Sequence, residues 1–307
     1  MRLLAALGLL VVIVPVALAA PARSVQAPGP VSALAMDGRV LAFASGRSAG
    51  DCDRVRIWNL RTRGVTTLGR ATSCEVASTG TGIAALSLAA TRVLWLHYTG
   101  GNIREWSLYT ATPTRRTPRR LAFVSRDVDA TAPIVVGPGD SSRFGDLLPY
   151  AVDRLVVVLR ADGARRFAWT APAAVTALAA LDGELAVASE GGVVTILDAS
   201  GSVIGTEIYD ADVQVVRITG AGLLVQWGRT LELRGSGAPR SWLLPVRATL
   251  QDATAGAAYY VTGGQIRELR LDAANRQRQL GLGSHVATEG STLAYSAGRR
   301  VTARPRT

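Results

Sequence analysis

The stretch VTALAALDGELAVASEGGVVTILDASGSVIG, from Val175 to Gly205, decides the fold. It spells three short apolar runs and punctuates them with Asp182-Gly183, Gly191-Gly192 and Ser200-Gly201. Such turn residues accept the positive φ that tight hairpins need. The runs are therefore expected to be antiparallel strands joined in sequence, a small meander.

The pattern recurs along the chain. VSALAMDGRVLAFASG, Val31 to Gly46, aligns with VTALAALDGELAVASEG, Val175 to Gly191, strand for strand and turn for turn. The first copy continues as DRVRIWNLRTRGVTTLG and the second as GVVTILDASGSVIGTEI, so each unit holds four strands. Units begin near Val31, Ile83, Ala132, Val175, Val213, Leu250 and Val286. Their spacing, roughly forty to fifty residues, is that of β-propeller blades. The last unit, HVATEGSTLAYSAGRRVTARPRT, has only three strands. A closed ring predicts that ARSVQAP, just after the N-terminal apolar segment, supplies the fourth and removes the open edge. First strands are rich in small residues (VSALAM, IAALSLA, VTALAAL), as a crowded axis demands. Runs such as LVVVL and VVTIL read as strands covered on both faces.

VRIWNL, Val55 to Leu60, resembles the third strand of a WD40 repeat. VLRADGARRFAW, Val158 to Trp169, resembles the third and fourth strands of a pyrroloquinoline-quinone-type repeat. Residues 21–307 thus resemble the WD40-like and pyrroloquinoline-quinone-like repeat proteins. The resemblance implies one all-β domain, a single β-propeller of about seven four-stranded blades with the last closed by the N-terminal strand.

With 307 residues, 48% hydrophobic and 19% charged, the chain can bury a large core and lies outside the disordered class. Residues 1–20 set one arginine before an apolar run from Leu3 to Val14, followed by Pro15 and the pattern Ala17-Leu18-Ala19. This is the layout of a secretory signal peptide cleaved after Ala19 or Ala20. An uncleaved anchor is the alternative, since the run to Ala20 approaches the ~18 residues of a spanning helix. The expected address is secreted or extracytoplasmic, in the cell envelope. The basic residues are all arginine, 34 against 23 acidic residues, a formal charge of +11. Charge alone would draw such an exported chain to an anionic envelope polymer or lipid surface, whereas nucleic acid is not an expected partner.

In a propeller, the loops between second and third strands and those between blades open on one face. GRSAGDCD, Gly46 to Asp53, and RATSCEVASTGTG, Arg70 to Gly82, are two such loops, and they bring Cys52 and Cys74 to one rim. A disulfide closing a loop of about 20 residues would add roughly 3 kcal/mol in the chain-entropy model; two free buried thiols are the alternative. The same face is expected to carry Asp51, Asp53, Glu75, Asp127, Asp129, Asp210, Asp212 and His285. RDVDATAP and YDADVQ each set an acidic pair before an innermost strand, where carboxylates suit a calcium ion, although aspartate also favours turns through local hydrogen bonds. His97 and His285 share no ligand spacing, so a metal centre is not expected. The chain has no Gly-x-Ser-x-Gly elbow, Walker loop or dinucleotide fingerprint, and no catalytic residue or organic cofactor is indicated.

Two further loops stand out. TPTRRTPRR, Thr112 to Arg120, makes Arg115, Arg116, Arg119 and Arg120 a basic loop between the third and fourth strands of its unit. APIVVGPGDSSRFGDLLPYAVD inserts a long polar loop between the first two strands of the third unit, on the opposite face from the cysteines. The whole points to a monomeric, non-enzymatic propeller that binds a protein or an anionic envelope polymer. The alternative is a propeller enzyme of lyase, glycan-active or quinoprotein type with an axial pocket.

Overall fold

The computed structural model describes residues 22–45, 52–70, 80–127, 132–272 and 276–306. The opening stretch folds as its turns dictate, into strands Val175–Leu181, Glu184–Ser189, Val193–Leu197 and Val203–Ile208, each paired with the next. Asp182 and Gly183 both have positive φ, 50° and 84°, as a two-residue hairpin between Leu181 and Glu184 requires. Gly192, at φ 74°, is packed so closely that a Cβ there would collide with the Tyr209 carbonyl. In the third turn Asp198 Oδ1 accepts the backbone N–H groups of Ser200 at 2.8 Å and Ser202 at 3.0 Å, replacing the ladder where it ends.

This four-strand meander repeats around a ring. Inner strands begin at Ala33, Gly82, Ile134, Val175, Val215, Thr249 and His285, within two residues of the expected unit starts. The sheets form a seven-bladed β-propeller, with blades at residues 33–69, 82–127, 134–170, 175–208, 215–243, 249–282 and 285–305. VRIWNL falls in the third strand of blade 1, Arg54–Asn59, and VLRADGARRFAW spans the third and fourth strands of blade 3, Leu155–Leu159 and Arg165–Thr170. The polar insertion of blade 3 is more ordered than a loop: Asp140–Ser142 pairs with the first half of Gly145–Val152, making a fifth strand.

Blade 7 takes its outer strand from the other end of the chain. Arg23–Gln26 runs antiparallel to Arg300–Pro305, Arg23 opposite Ala303 and Gln26 opposite Arg300. Beyond it, Ala27 N–H donates to Arg299 O at 2.7 Å and Val31 N–H to Gly298 O at 2.9 Å. Blade 7 thereby gains the four strands of the other blades, and the outer ladder of Arg300–Pro305 is covered.

Seven buried apolar clusters fill the seven seams between neighbouring blades. At the seam of blades 1 and 2, Ala42, Ala44, Val55 and Ile57 pack on Leu88, Val93, Trp95 and Tyr109. The seam of blades 6 and 7 has the smallest cluster, Ala257, Tyr259 and Ile266 against Val286 and Leu293. A polar clamp supplements it: Asp252 Oδ2 accepts Thr288 N–H at 2.5 Å and Thr288 Oγ1–H at 3.0 Å. Cys52 is fully buried at the end of blade 1, while Cys74 and residues 1–20 lie outside the described residues. Among the described residues no helix is long and apolar enough to cross a membrane.

Two outcomes follow for the closed ring. Deleting residues 22–27 removes four paired residues at about 1 kcal/mol of net hydrogen bonding each, so the melting temperature should fall by on the order of 8 °C or more, with aggregation through the bared edge. A melt unchanged by the deletion would mean that closure contributes nothing. For the cysteines, alkylation of the denatured, unreduced protein should label neither Cys52 nor Cys74, and labelling of both would remove the expected disulfide.

Candidate functional site

The inner strands all run the same way along the axis, their starts lining one mouth of a central channel and their ends the other. We call these the upper and lower faces. The channel cavity, about 390 Å³, is lined by small residues such as Ala33, Ala35, Ala84 and Ala177 together with larger aliphatic ones, and its polar lining includes Thr176, Gln214, Arg217 and Asp252. The small side chains leave the axis open.

At the upper mouth His285 lines a cavity of about 560 Å³ with Pro30, Ser32, Tyr98 and Ser284. Its Nδ1 is 2.9 Å from Ser284 Oγ and 3.2 Å from Ser296 Oγ, and burial holds its pKa below the ordinary histidine value, so the ring is neutral. The described members of the expected acidic rim stand apart from it. Asp53 is buried, held by Arg70 Nε at 2.5 Å and by Trp95 Nε1–H at 3.1 Å, and it clamps blade 1 to blade 2. Asp127 and Asp210 are exposed at strand ends, and Asp212 accepts Gly191 N–H at 2.7 Å to tie down the neighbouring hairpin. Asp51, Glu75 and Asp129 lie outside the described residues. Among the described residues no group of three or more acidic, histidine or cysteine side chains is arranged to hold a metal ion. Of the tryptophans, Trp58, Trp95, Trp106 and Trp242 are buried in seams.

What the upper face does carry is exposed apolar surface. Ile103, Leu155, Ile208, Leu243, Val246 and Leu282 stand at strand ends or loops opening upward from blades 2 to 6, with Ile208 70%, Leu282 68%, and Leu243 and Val246 65% exposed. Thr262 Oγ1–H donates to Val246 O at 3.2 Å, joining the loop that follows blade 5 to the upper turn of blade 6. Each of these residues sits where a strand hands over to a turn. Strand-pattern reasoning counts such a position as core, which is why this surface was missed.

Carboxylates converge instead at the lower mouth. Asp37, Asp140, Asp182, Asp252 and Glu289 come from blades 1, 3, 4, 6 and 7 and interact electrostatically around a cavity of about 240 Å³. Most are structural. Asp37 accepts Ala90 N–H and Ser141 Oγ–H, reaching from blade 1 to blades 2 and 3, and Asp140 accepts Asp182 N–H at 2.9 Å, joining blade 3 to blade 4. Burial raises the pKa of Asp37, Asp140 and Asp252, opposed at Asp252 by Arg217, whose Nε lies 3.6 Å away. The Glu289 carboxylate accepts no hydrogen bond from the described residues, although its backbone pairs with Thr292. Burial first, then the charges of Asp37, Asp140, Asp252 and Asp182, push its pKa up to about 7. The sequence signal was present, a carboxylate beside glycine in the first turn of blades 1, 4 and 7 (Asp37-Gly38, Asp182-Gly183, Glu289-Gly290), but it reads equally as turn chemistry.

Glu289 binds a proton more tightly folded than unfolded, so its contribution is fully favourable below about pH 4.5 and is lost as pH rises through about 7. Glu289→Gln should therefore raise stability at pH 8 by about 1–2 kcal/mol, discounted for its part-exposed position, and change little at pH 4.5. Denaturant melts at the two pH values measure this. An equal effect at both would mean that Glu289 does not titrate in this range.

No protein-family model matches the chain, and no curated protein matches it in sequence. Solved structures do match its fold. A chain in the crystal structure of the mitotic checkpoint complex aligns over 100% of this chain and 99% of its own length, with a TM-score of 0.60 and 16% identity. Chaetomium thermophilum Raptor aligns over 92% of this chain, which spans 28% of Raptor, with a TM-score of 0.56 and 11% identity. Both are WD40-type propeller proteins, and at these identities what the chain shares with them is the seven-bladed fold.

Proposed function

We propose that this protein is an exported, monomeric binding module whose upper face docks a protein partner. The observation that carries the reading is the apolar crescent of Ile103, Leu155, Ile208, Leu243, Val246 and Leu282, spread over five consecutive blades of a rigid ring. Single exposed apolar residues are ordinary on any surface, and the lower face has Val65, Phe144, Val203 and Ile204; six set along one rim over consecutive blades support an interaction surface there. Its form suits a protein rather than a small ligand, because it is a broad rim and not a closed pocket. One similar propeller was crystallised within a multiprotein complex, which agrees with this use of the fold.

Export rests on the N-terminal sequence. The run from Leu3 to Val14, Pro15 and the Ala17-Leu18-Ala19 pattern suit cleavage after Ala19 or Ala20, so that the mature chain would start at Ala20 or Pro21, ahead of the closing strand that begins at Arg23. Cleavage there would leave every strand of the ring in the mature protein.

The test is comparative. Leu243→Asp, Val246→Asp and Leu282→Asp together should leave the melting temperature within a few degrees, because these side chains are already in water. The same change should abolish capture of the envelope proteins that crosslink to the wild type, as loss of a central apolar anchor costs about 2 kcal/mol or more per residue. Glutamate substitutions confined to the lower face should not. If crosslinking survives the three aspartates, the partner docks elsewhere.

A further inference from the structure

The arginines of this chain are not evenly matched with acids. On the upper face Arg70 pairs with Asp53 at 2.5 Å and Arg126 with Asp153 at 2.6 Å. On the lower face the turns between third and fourth strands of three consecutive blades carry Arg61 and Arg63, then Arg115, Arg116 and Arg119, then Arg160 and Arg165. All seven are exposed, and none makes a salt bridge among the described residues. The only carboxylate in these three turns is Asp162.

The turns are held together rather than loose. Buried Arg92 donates from Nε to Ala161 O at 2.7 Å and from Nη2 to Asp162 O at 2.8 Å, fixing the blade 3 turn against blade 2. Arg119 Nη2–H reaches Gly163 O at 3.4 Å across the same seam. Like charges are thereby held side by side with Asp162 as the one carboxylate among them, an arrangement that an external polyanion relieves.

The same edge is where the N-terminal segment joins the ring. Arg23 lies opposite Ala303, at the lower end of the closing strand, and Ala22 and Arg23 line a cleft with Trp58, Arg63 and Val65 of blade 1. The apolar sequence that begins at Leu3 runs to Ala20, two positions before Ala22. Were that sequence in a bilayer, the blade 1 turn beside Ala22 would face the headgroups. Apolar residues are exposed on this face as well: Val65 in the blade 1 turn and Phe144, with the Arg143 guanidinium 4.7 Å from its ring centre. Arginine beside exposed apolar side chains is the composition of surfaces that rest on headgroups.

We propose that the lower edge of blades 1 to 3 is a docking surface for an anionic lipid bilayer. It is independent of the protein-binding reading, which uses the opposite face. The chain from Ala22 onward, carrying every strand of the ring and first shown to melt cooperatively, would be sedimented with vesicles of phosphatidylcholine alone or mixed with phosphatidylglycerol. Binding is expected only with phosphatidylglycerol and should fade as salt is raised. Arg61→Glu, Arg115→Glu and Arg116→Glu together should weaken it by roughly a hundredfold or more, at about 1 kcal/mol per arginine near the surface. Upper-face Arg154→Glu, Arg229→Glu and Arg247→Glu should leave it unchanged. Should the triple lower-face variant fail to melt cooperatively, the three single variants are compared, and each should weaken binding. The proposal is overturned by equal binding to neutral vesicles, by no binding to anionic ones, by equal losses in both sets of variants, or by binding to soluble polyphosphate without binding to vesicles.

Discussion

Closure of the ring is the constraint on which the other features depend. A four-stranded sheet built from runs such as LVVVL has two apolar faces and buries neither alone. Here every blade is covered on both sides only because the seventh meets the first, and seven clusters occupy seven seams. The strand Arg23–Gln26 completes that meeting by pairing with Arg300–Pro305, and Val25 and Ala27 pack in the seam it closes. Polar clamps then fix the blades to one another: Asp53 on Trp95, Asp37 on Ala90 and Ser141, Arg92 on Ala161, Asp140 on Asp182, Asp252 on Thr288. Each satisfies buried polar groups that the apolar seams would otherwise leave unpaired.

The sequence made the strands and their order legible because hairpin turns are local. Asp182-Gly183 needs only its own φ angles, and repeats of that turn located the blade starts to within two residues. The closing strand was legible by arithmetic, since the final unit lacked a strand and the ring had to be completed. Blade 3 was misread for a physical reason: GPGDSSRFG has the composition of a loop, yet Asp140–Ser142 pairs with the strand that follows it.

The site was less legible, because what a carboxylate does depends on partners distant in sequence. Asp53 follows a loop cysteine and reads as rim, but Arg70 and Trp95, the latter 42 residues away, enclose it. Asp37 reads as a turn residue, yet its acceptor oxygens serve Ser141, 104 residues on. Glu289 belongs to the same turn pattern but its carboxylate lacks a donor, and burial with the neighbouring acids pushes its pKa up to about 7. Periodicity shows which residues share a face of a strand; it does not show which blade lies opposite.

Because neighbouring blades consume each other's sides, interaction is left to the two faces and the outer strands. The faces differ in how their charges are disposed. Above, the arginines beside Asp53 and Asp153 are paired; below, acids gather at the axis and unpaired arginines at the edge. The axial acids do not cancel the edge. At physiological ionic strength exposed charges are screened over about 8 Å, and several of these acids are already engaged by N–H groups of neighbouring blades. The formal charge of +11 is therefore not a property that a partner meets as a whole. A partner approaching from below at blades 1 to 3 meets arginines grouped in adjacent turns, whereas one approaching from above meets single exposed arginines, Arg154, Arg229 and Arg247 among them, set between exposed apolar side chains. The two proposed uses of the ring can thus operate at once without competing for surface.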